Sequence, residues 1–118
     1  MTEQTVPPRL IVYINSDRMG QGDDDLGQNL IATFLETATN FVGDISHILL
    51  VNSGVKLACT GSAALESMKM LANAGVTILA CGTCLKHFQL MEKIEAGAPS
   101  NMFTILDLVS KSEKVLTP

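Results

Sequence analysis

Val76-Thr77-Ile78-Leu79-Ala80-Cys81-Gly82-Thr83-Cys84 is the stretch that decides how this chain folds. Its first five residues are apolar or β-branched without a break, the pattern of a strand buried on both faces. Cys81-Gly82 makes a turn, and the spacing then changes. Leu85, Phe88, Met91 and Ile94 recur every three residues, which predicts a helix with Thr83 as its N-cap. A buried strand that runs straight into a helix implies a parallel sheet, and here it leaves two cysteines at the turn.

The same grammar extends upstream. Residues 9–15 and 45–51 are apolar runs that read as two further strands. Between them, residues 16–25 form a Gly- and Asp-rich loop. A helix follows, with Leu26, Leu30, Ile31, Phe34, Leu35 and Ala38 on its inner face, Asp24 or Asp25 as its cap and Gly43 as its close. Asn52-Ser53-Gly54 turns the chain, and residues 55–60 are an irregular connector. Thr60 or Ser62 caps the next helix, which points Ala64, Leu65, Met68 and Leu71 inward and stops at Gly75.

Downstream, Gly97-Ala98-Pro99 ends the helix that begins near Thr83. Ser100 or Asn101 caps a short helix with Met102, Ile105, Leu106 and Val109 inward, and residues 114–117 are a last strand. The order is β-α-β-α-β-α-α-β. It predicts right-handed crossovers and a three-layer α/β/α domain of flavodoxin-like or Rossmann-like type, with a mostly parallel sheet of four to five strands.

The 118 residues suit one domain, read as 1–118 with residues 1–8 as a polar tail. At 47% hydrophobic and 4% aromatic, the core must be aliphatic. A mean hydropathy of +0.29 points to apolar surface covered between subunits, or to a sheet buried on both sides. Eight basic against twelve acidic residues leave a net charge of −4 with no basic stretch, which argues against a nucleic-acid partner. No apolar run approaches the ~18 residues a membrane span needs. The tail lacks the charged start and apolar stretch of a signal peptide, so a cytoplasmic location is expected. In that compartment the three cysteines are read as thiols.

In a parallel sheet, reactive groups gather beyond the carboxyl ends of the strands. The loops at 16–25, 52–59 and 81–84 all fall there, and they are the glycine-rich, polar stretches of the chain. Cys81 and Cys84 flank a predicted helix start, where free N–H groups favour a thiolate. A thiolate can take up a sulfane sulfur as a persulfide or exchange with a neighbouring thiol. Gly82 would let a partner's backbone approach. Neither a metal nor any other cofactor is expected, because structural zinc needs four ligands and no second pair exists. His47 and His87 read as structural or solvated. Cys59 is either a resolving thiol or an incidental core residue.

The run Met19-Gly20-Gln21-Gly22-Asp23-Asp24-Asp25-Leu26-Gly27 is no dinucleotide fingerprint, since Asp25 stands where a glycine is required. It also lacks the alternating ligands of an EF-hand loop. Its acids cap a helix, or one of them handles a proton near Cys81.

Taken together, residues 19–27, Val51-Asn52-Ser53-Gly54-Val55-Lys56-Leu57, Gly61-Ser62, Cys81-Gly82-Thr83-Cys84 and Ser100-Asn101-Met102 resemble the DsrE-like family. The similarity is to the C-terminal DsrE-like domain of YedF-type proteins, which are sulfurtransferase-like and associated with selenium metabolism. The resemblance implies homo-oligomers, commonly trimers or hexamers, and a thiol after the third strand that carries sulfur. That thiol corresponds to Cys81. YedF-type proteins usually begin with a TusA-like domain. None is expected in this chain, so a separate TusA-like sulfur carrier is the partner the resemblance suggests.

The resulting expectation is a sulfur or selenium relay protein with Cys81 as acceptor and Cys84 as helper. Gly82, Thr83, Asp23, Asp24, Asn52, Ser53, Gly54 and Lys56 are the binding candidates around the pair. Two alternatives stand beside it. One is a thiol/disulfide redox protein, although the tryptophan and the proline opposite the pair that thioredoxins use are missing. The other is a non-catalytic oligomeric binding module whose cysteines only pack.

Overall fold

The computed structural model describes residues 6–118, so residues 1–5 of the expected tail lie outside the described part. The elements in chain order are β1 (Leu10–Ile14), α1 (Asp24–Ala38), β2 (His47–Leu50), α2 (Leu65–Asn73), β3 (Thr77–Cys81), α3 (Gly82–His87), β4 (Ala98–Ser100), α4 (Met102–Lys111) and β5 (Lys114–Leu116). Two 3₁₀ segments, Thr39–Phe41 and Asn52–Ala58, lie after α1 and after β2. The sheet has five strands in the order β4-β3-β2-β1-β5, and every neighbouring pair is parallel. This is the three-layer α/β/α fold the sequence predicts.

The strand order fixes where the helices go. From β1 to β4 the chain steps steadily across the sheet, so right-handed crossovers put α1, α2 and α3 on one face. The step from β4 to β5 runs back past three strands and puts α4 on the other face. Side-chain alternation along the strands then sorts the core into two parts. Val12, Ile14, Ile48, Leu50, Ile78 and Ala80 point into a cluster of twenty buried residues with Ile31, Leu35, Met68, Leu71 and Leu85. Ile11, Leu49, Val51 and Cys81 point the opposite way, into a cluster of five completed by Ile105 of α4. Each fully buried Leu or Ile contributes about 1.5–3 kcal/mol, so most of the stabilisation lies on the three-helix face.

Several local expectations change. The cap of α1 is Asp23, whose Oδ1 accepts the Leu26 N–H at 2.7 Å. The buried stripe of α1 is Gly27, Ile31, Leu35 and Ala38, which leaves Leu26 and Leu30 exposed. The cause is the preceding loop. It folds back on Gly27, with the Met19 N–H donating to the Gly27 carbonyl at 2.9 Å. A Cβ at Gly27 would come within 3.1 Å of Arg18 Cβ. Ahead of α2, Ser62 Oγ accepts the Ala64 N–H at 3.0 Å.

The helix expected to reach Ile94 ends at His87. Gln89 adopts φ +58°, a left-handed conformation that stops a helix. The rest of the segment is pinned to the 58–60 connector instead. The Thr60 N–H donates to the Lys93 carbonyl at 2.9 Å, the Glu95 N–H donates to the Ala58 carbonyl at 2.8 Å, and Cys59 bridges to Ile94. Met91 and Ile94 still pack on the core, so their periodic spacing reflects burial without a helix. The Gly97-Ala98-Pro99 stop begins the short edge strand β4, paired with β3. On α4, Ile105 is buried and Leu108 and Val109 lean on the sheet, while Met102 and Leu106 face away.

Candidate functional site

β3 ends at Cys81, and its side chain follows the alternation of the strand: Ile78 and Ala80 face the three-helix side, Leu79 and Cys81 face α4. Cys81 is only 3% exposed and packs among Ile11, Leu49, Val51 and Ile105. The sulfur expected to be accessible is therefore enclosed within one copy of the chain. Cys84, one turn into α3, is half-buried and touches the same cluster. It is the pair's solvent-facing member.

Two contacts hold the Cys84 sulfur. The Asn52 backbone N–H donates to Sγ at 3.1 Å, and the side chain packs against the cluster that contains Cys81. The balance raises the Cys84 pKa. Burial contributes most, the Asn52 N–H opposes it, and Cys81 adds to it. This reverses the expectation of a thiolate favoured by a helix start: α3 has only six residues, and desolvation outweighs its end. At neutral pH Cys84 rests as a thiol. No carboxylate takes part in that balance.

The loop after β2 supplies the opposite wall. Asn52 adopts φ +50°, a left-handed conformation that asparagine tolerates better than most residues. Its Oδ1 accepts the Ser53 N–H at 2.8 Å, which fixes the turn and aims its own N–H at Cys84. Ser53 Oγ accepts the Asp17 N–H at 3.1 Å and so ties the loop after β1 to the loop after β2. Gly54 is required by close approach, because a Cβ there would strike the Ile14 carbonyl oxygen. Asn52, Ser53 and Gly54 thus belong to one device that brings two strand ends together beside Cys84.

The other candidates divide. A Cβ at Gly82 would lie 3.1 Å from the Ser100 carbonyl oxygen, so the backbone it admits is that of β4 in the same chain. Thr83 is exposed inside α3, and Cys81 takes the N-cap position expected of it, without a side-chain capping bond. Asp23 spends its carboxylate capping α1, and Asp24 pairs with Arg18 at 3.5 Å. The structure thus commits both acids to the start of α1. Lys56 sits with Nζ 4.5 Å over the Phe88 ring. Cys59 is buried, donates to the Val55 carbonyl at 3.3 Å and has its pKa raised by burial and by Glu95. It stands outside the pair as a core residue. Among the described residues, no group of three or more His, Cys, Asp or Glu side chains is arranged to hold a metal ion. No helix among them is long and apolar enough to cross a membrane.

A separate half-open cavity of about 520 Å³ is lined by Asp17, Gln28, Lys56, Ser62 and Phe88 among others. Sequence reasoning singled out only Lys56 from this set as a binding residue. Asp17 and Gln28 carry no motif, and their convergence appears only once α1 and the 3₁₀ segment are placed.

The fold is shared with solved structures from three organisms. The MTH1491 protein of Methanobacterium thermoautotrophicum, described as of unknown function, superposes with a TM-score of 0.69 at 16% identity. The superposition covers 94% of this chain and 99% of that one. The ychN protein of E. coli gives 0.65 at 15% identity, with the same coverages. BT1422 of Bacteroides thetaiotaomicron, also of unknown function, gives 0.65 at 18%, covering 92% of this chain and 94% of its own. At these identities the likeness is one of fold. No curated protein sequence matches the chain significantly. Residues 19–118 match the profile of the DsrE/DsrF-like family, and the chain belongs to that family.

Proposed function

We propose that this chain is a sulfur relay protein whose working part is the Cys81–Cys84 pair, with Cys84 as first acceptor and Cys81 as the thiol behind it. One observation carries the reading. Two thiols lie together at the carboxyl end of β3, Cys84 packing against the cluster that holds Cys81, and the outer one accepts a backbone N–H while staying partly open to solvent.

The exchange balances without an external oxidant. Cys84 sulfur attacks the terminal sulfur of a donor persulfide, and the donor's S–S bond breaks. A Cys84 persulfide forms, and the proton leaving Cys84 ends on the departing donor thiolate. An N–H aimed at Sγ favours the anionic form the attack needs, and it partly offsets the burial that keeps the resting group protonated. Selenium in place of the transferred sulfur would follow the same path. Within the family, the acidic loop at 19–27 and Cys81-Gly82-Thr83-Cys84 resemble those of YedF-type domains, and the reading takes with it a cytoplasmic location and a TusA-like sulfur carrier as partner.

The reading includes a homo-oligomer. Met102, Phe103 and Leu106 form an exposed apolar ridge on α4, with Phe103 82% exposed. The same helix roofs Cys81, so copies joined there would bring a second chain close to the pair.

Mass spectrometry of the protein after incubation with a cysteine desulfurase and cysteine tests the relay. A gain of one sulfur atom is expected in wild type and in Cys59→Ser, and its loss in Cys84→Ser. An adduct absent from wild type, or retained in Cys84→Ser, overturns the assignment. The packing of Cys84 against the cluster that holds Cys81 also favours a second reading, a dithiol redox protein. A Cys81–Cys84 disulfide with a potential near that of the cytosolic thiol pool would support it.

A further inference from the structure

We infer that the cavity lined by Asp17, Lys56 and Phe88 binds a small zwitterionic ligand of the free α-amino-acid class, with its carboxylate toward Lys56 and its ammonium toward Asp17. The inference goes beyond the relay and does not depend on it.

Two opposite charges line this cavity without neutralising one another. Lys56 forms no ion pair among the described residues, and its ammonium rests 4.5 Å over the Phe88 ring. Asp17 reaches only Arg18 Nε, at 4.0 Å, while the far end of that guanidinium turns to Asp24 at 3.5 Å. The spacing of Asp17 and Lys56 is built in. The Asp17 N–H is held by Ser53 Oγ at 3.1 Å. Ser53 and Lys56 are three residues apart on a 3₁₀ segment, where side chains at that spacing project from the same face.

The charges select among ligand classes. A phosphate ester brings two negative charges to a cavity with one cation and a carboxylate, in a chain of net charge −4. A simple carboxylate would satisfy Lys56 and leave Asp17 unused. A simple amine would do the reverse. A zwitterion satisfies both, and the Gln28 amide and Ser62 hydroxyl offer further polar contacts. Ile31, Leu57 and Leu90 supply an apolar wall for a short side chain. At about 520 Å³ the cavity falls within the roughly 300–1,000 Å³ typical of small-molecule sites.

The test is a titration of the ¹⁵N-labelled full chain followed by NMR. The probes are L-alanine, L-serine, L-cysteine and L-methionine, with acetate, methylamine and inorganic phosphate as controls. At least one amino acid is expected to bind saturably, shifting the amides of residues 17, 56 and 60–64. Its affinity should exceed that of each control by about tenfold or more. Asp17→Asn leaves the backbone bond to Ser53 intact and should weaken the amino acid about tenfold while leaving acetate unchanged. Lys56→Gln should weaken the amino acid and acetate alike, and Lys56→Arg should restore both. Unchanged spectra outside the cavity establish that each variant is folded. Repeating the titration in Cys84→Ser separates this site from the relay, since binding should persist there. The inference is overturned if none of the four amino acids binds, if acetate or phosphate binds as tightly, or if the shifted amides lie away from the cavity.

Discussion

The two faces of the sheet are built to different standards. Three helices cover one face and enclose twenty buried residues, whereas α4 alone covers the other and completes a buried cluster of five. Tyr13, His47 and Leu79, on the α4 side, stay only half-buried. The lesson is a division of labour: the thick face holds the domain together, while the thin face keeps a sulfur under a cover light enough to be supplemented. The strand order alone imposes this, because only one crossover runs back across the sheet.

The largest expected effect tests the division itself. Leu35→Ala or Ile48→Ala on the thick face should cost about 3–5 kcal/mol in urea unfolding, and Ile105→Ala under α4 about 2 kcal/mol, where an open surrounding can collapse around the gap. Equal losses would mean that the faces contribute alike. Next comes the pair. Cys81→Ser buries a hydroxyl among aliphatic side chains and should cost about 1–3 kcal/mol, while Cys84→Ser should cost less than about 1 kcal/mol. Alkylation of the folded protein should modify Cys84 well before Cys81 or Cys59, at a rate that climbs with pH because the Cys84 pKa is raised. A faster Cys81 would mean that the thin face opens more readily than its packing indicates.

Phe103→Glu addresses the exposed ridge. Monomer stability should move by no more than about 0.5 kcal/mol, while sedimentation should show smaller assemblies than wild type. An unchanged assembly would remove α4 from the interface. The smallest effect is a slope with pH. Burial lowers the pKa of His47 from its ordinary 6.5, so the unfolded chain takes up the proton first. Stability should be flat above that value, fall as the pH drops below it, and level off once the folded state is also protonated. His47→Gln should flatten the slope. A slope of opposite sign would require a carboxylate facing the ring.

Much of this was legible beforehand, for identifiable reasons. Uninterrupted β-branched and aliphatic runs announced β1, β2 and β3, because strands covered on both faces need no polar alternation. The order of elements carried the parallel sheet and placed the cysteines at its carboxyl end. The burial of Cys81 was present as parity, one residue after Ala80. Which parity faces the single helix depends on where β5 returns, and three residues at the chain's end do not reveal that. Helix α3 was overextended because Leu85, Phe88, Met91 and Ile94 have helical spacing, while the left-handed turn at Gln89 has no strong sequence marker. On α4, Met102 and Leu106 looked like core residues because an exposed apolar stripe and a buried one read alike in a sequence.

The sheet's two borders also differ. β4 is three residues long with Pro99 at its centre, and proline brings no N–H to a ladder, so that border is a poor template for another strand. At β5 the border carries no proline, and Val115 and Leu116 are 40% and 42% exposed. Unwanted polymerisation of the purified protein would therefore start at its C-terminal strand. Lys114 is the only charge there to discourage it, and replacing Val115 with a second lysine is the simplest remedy.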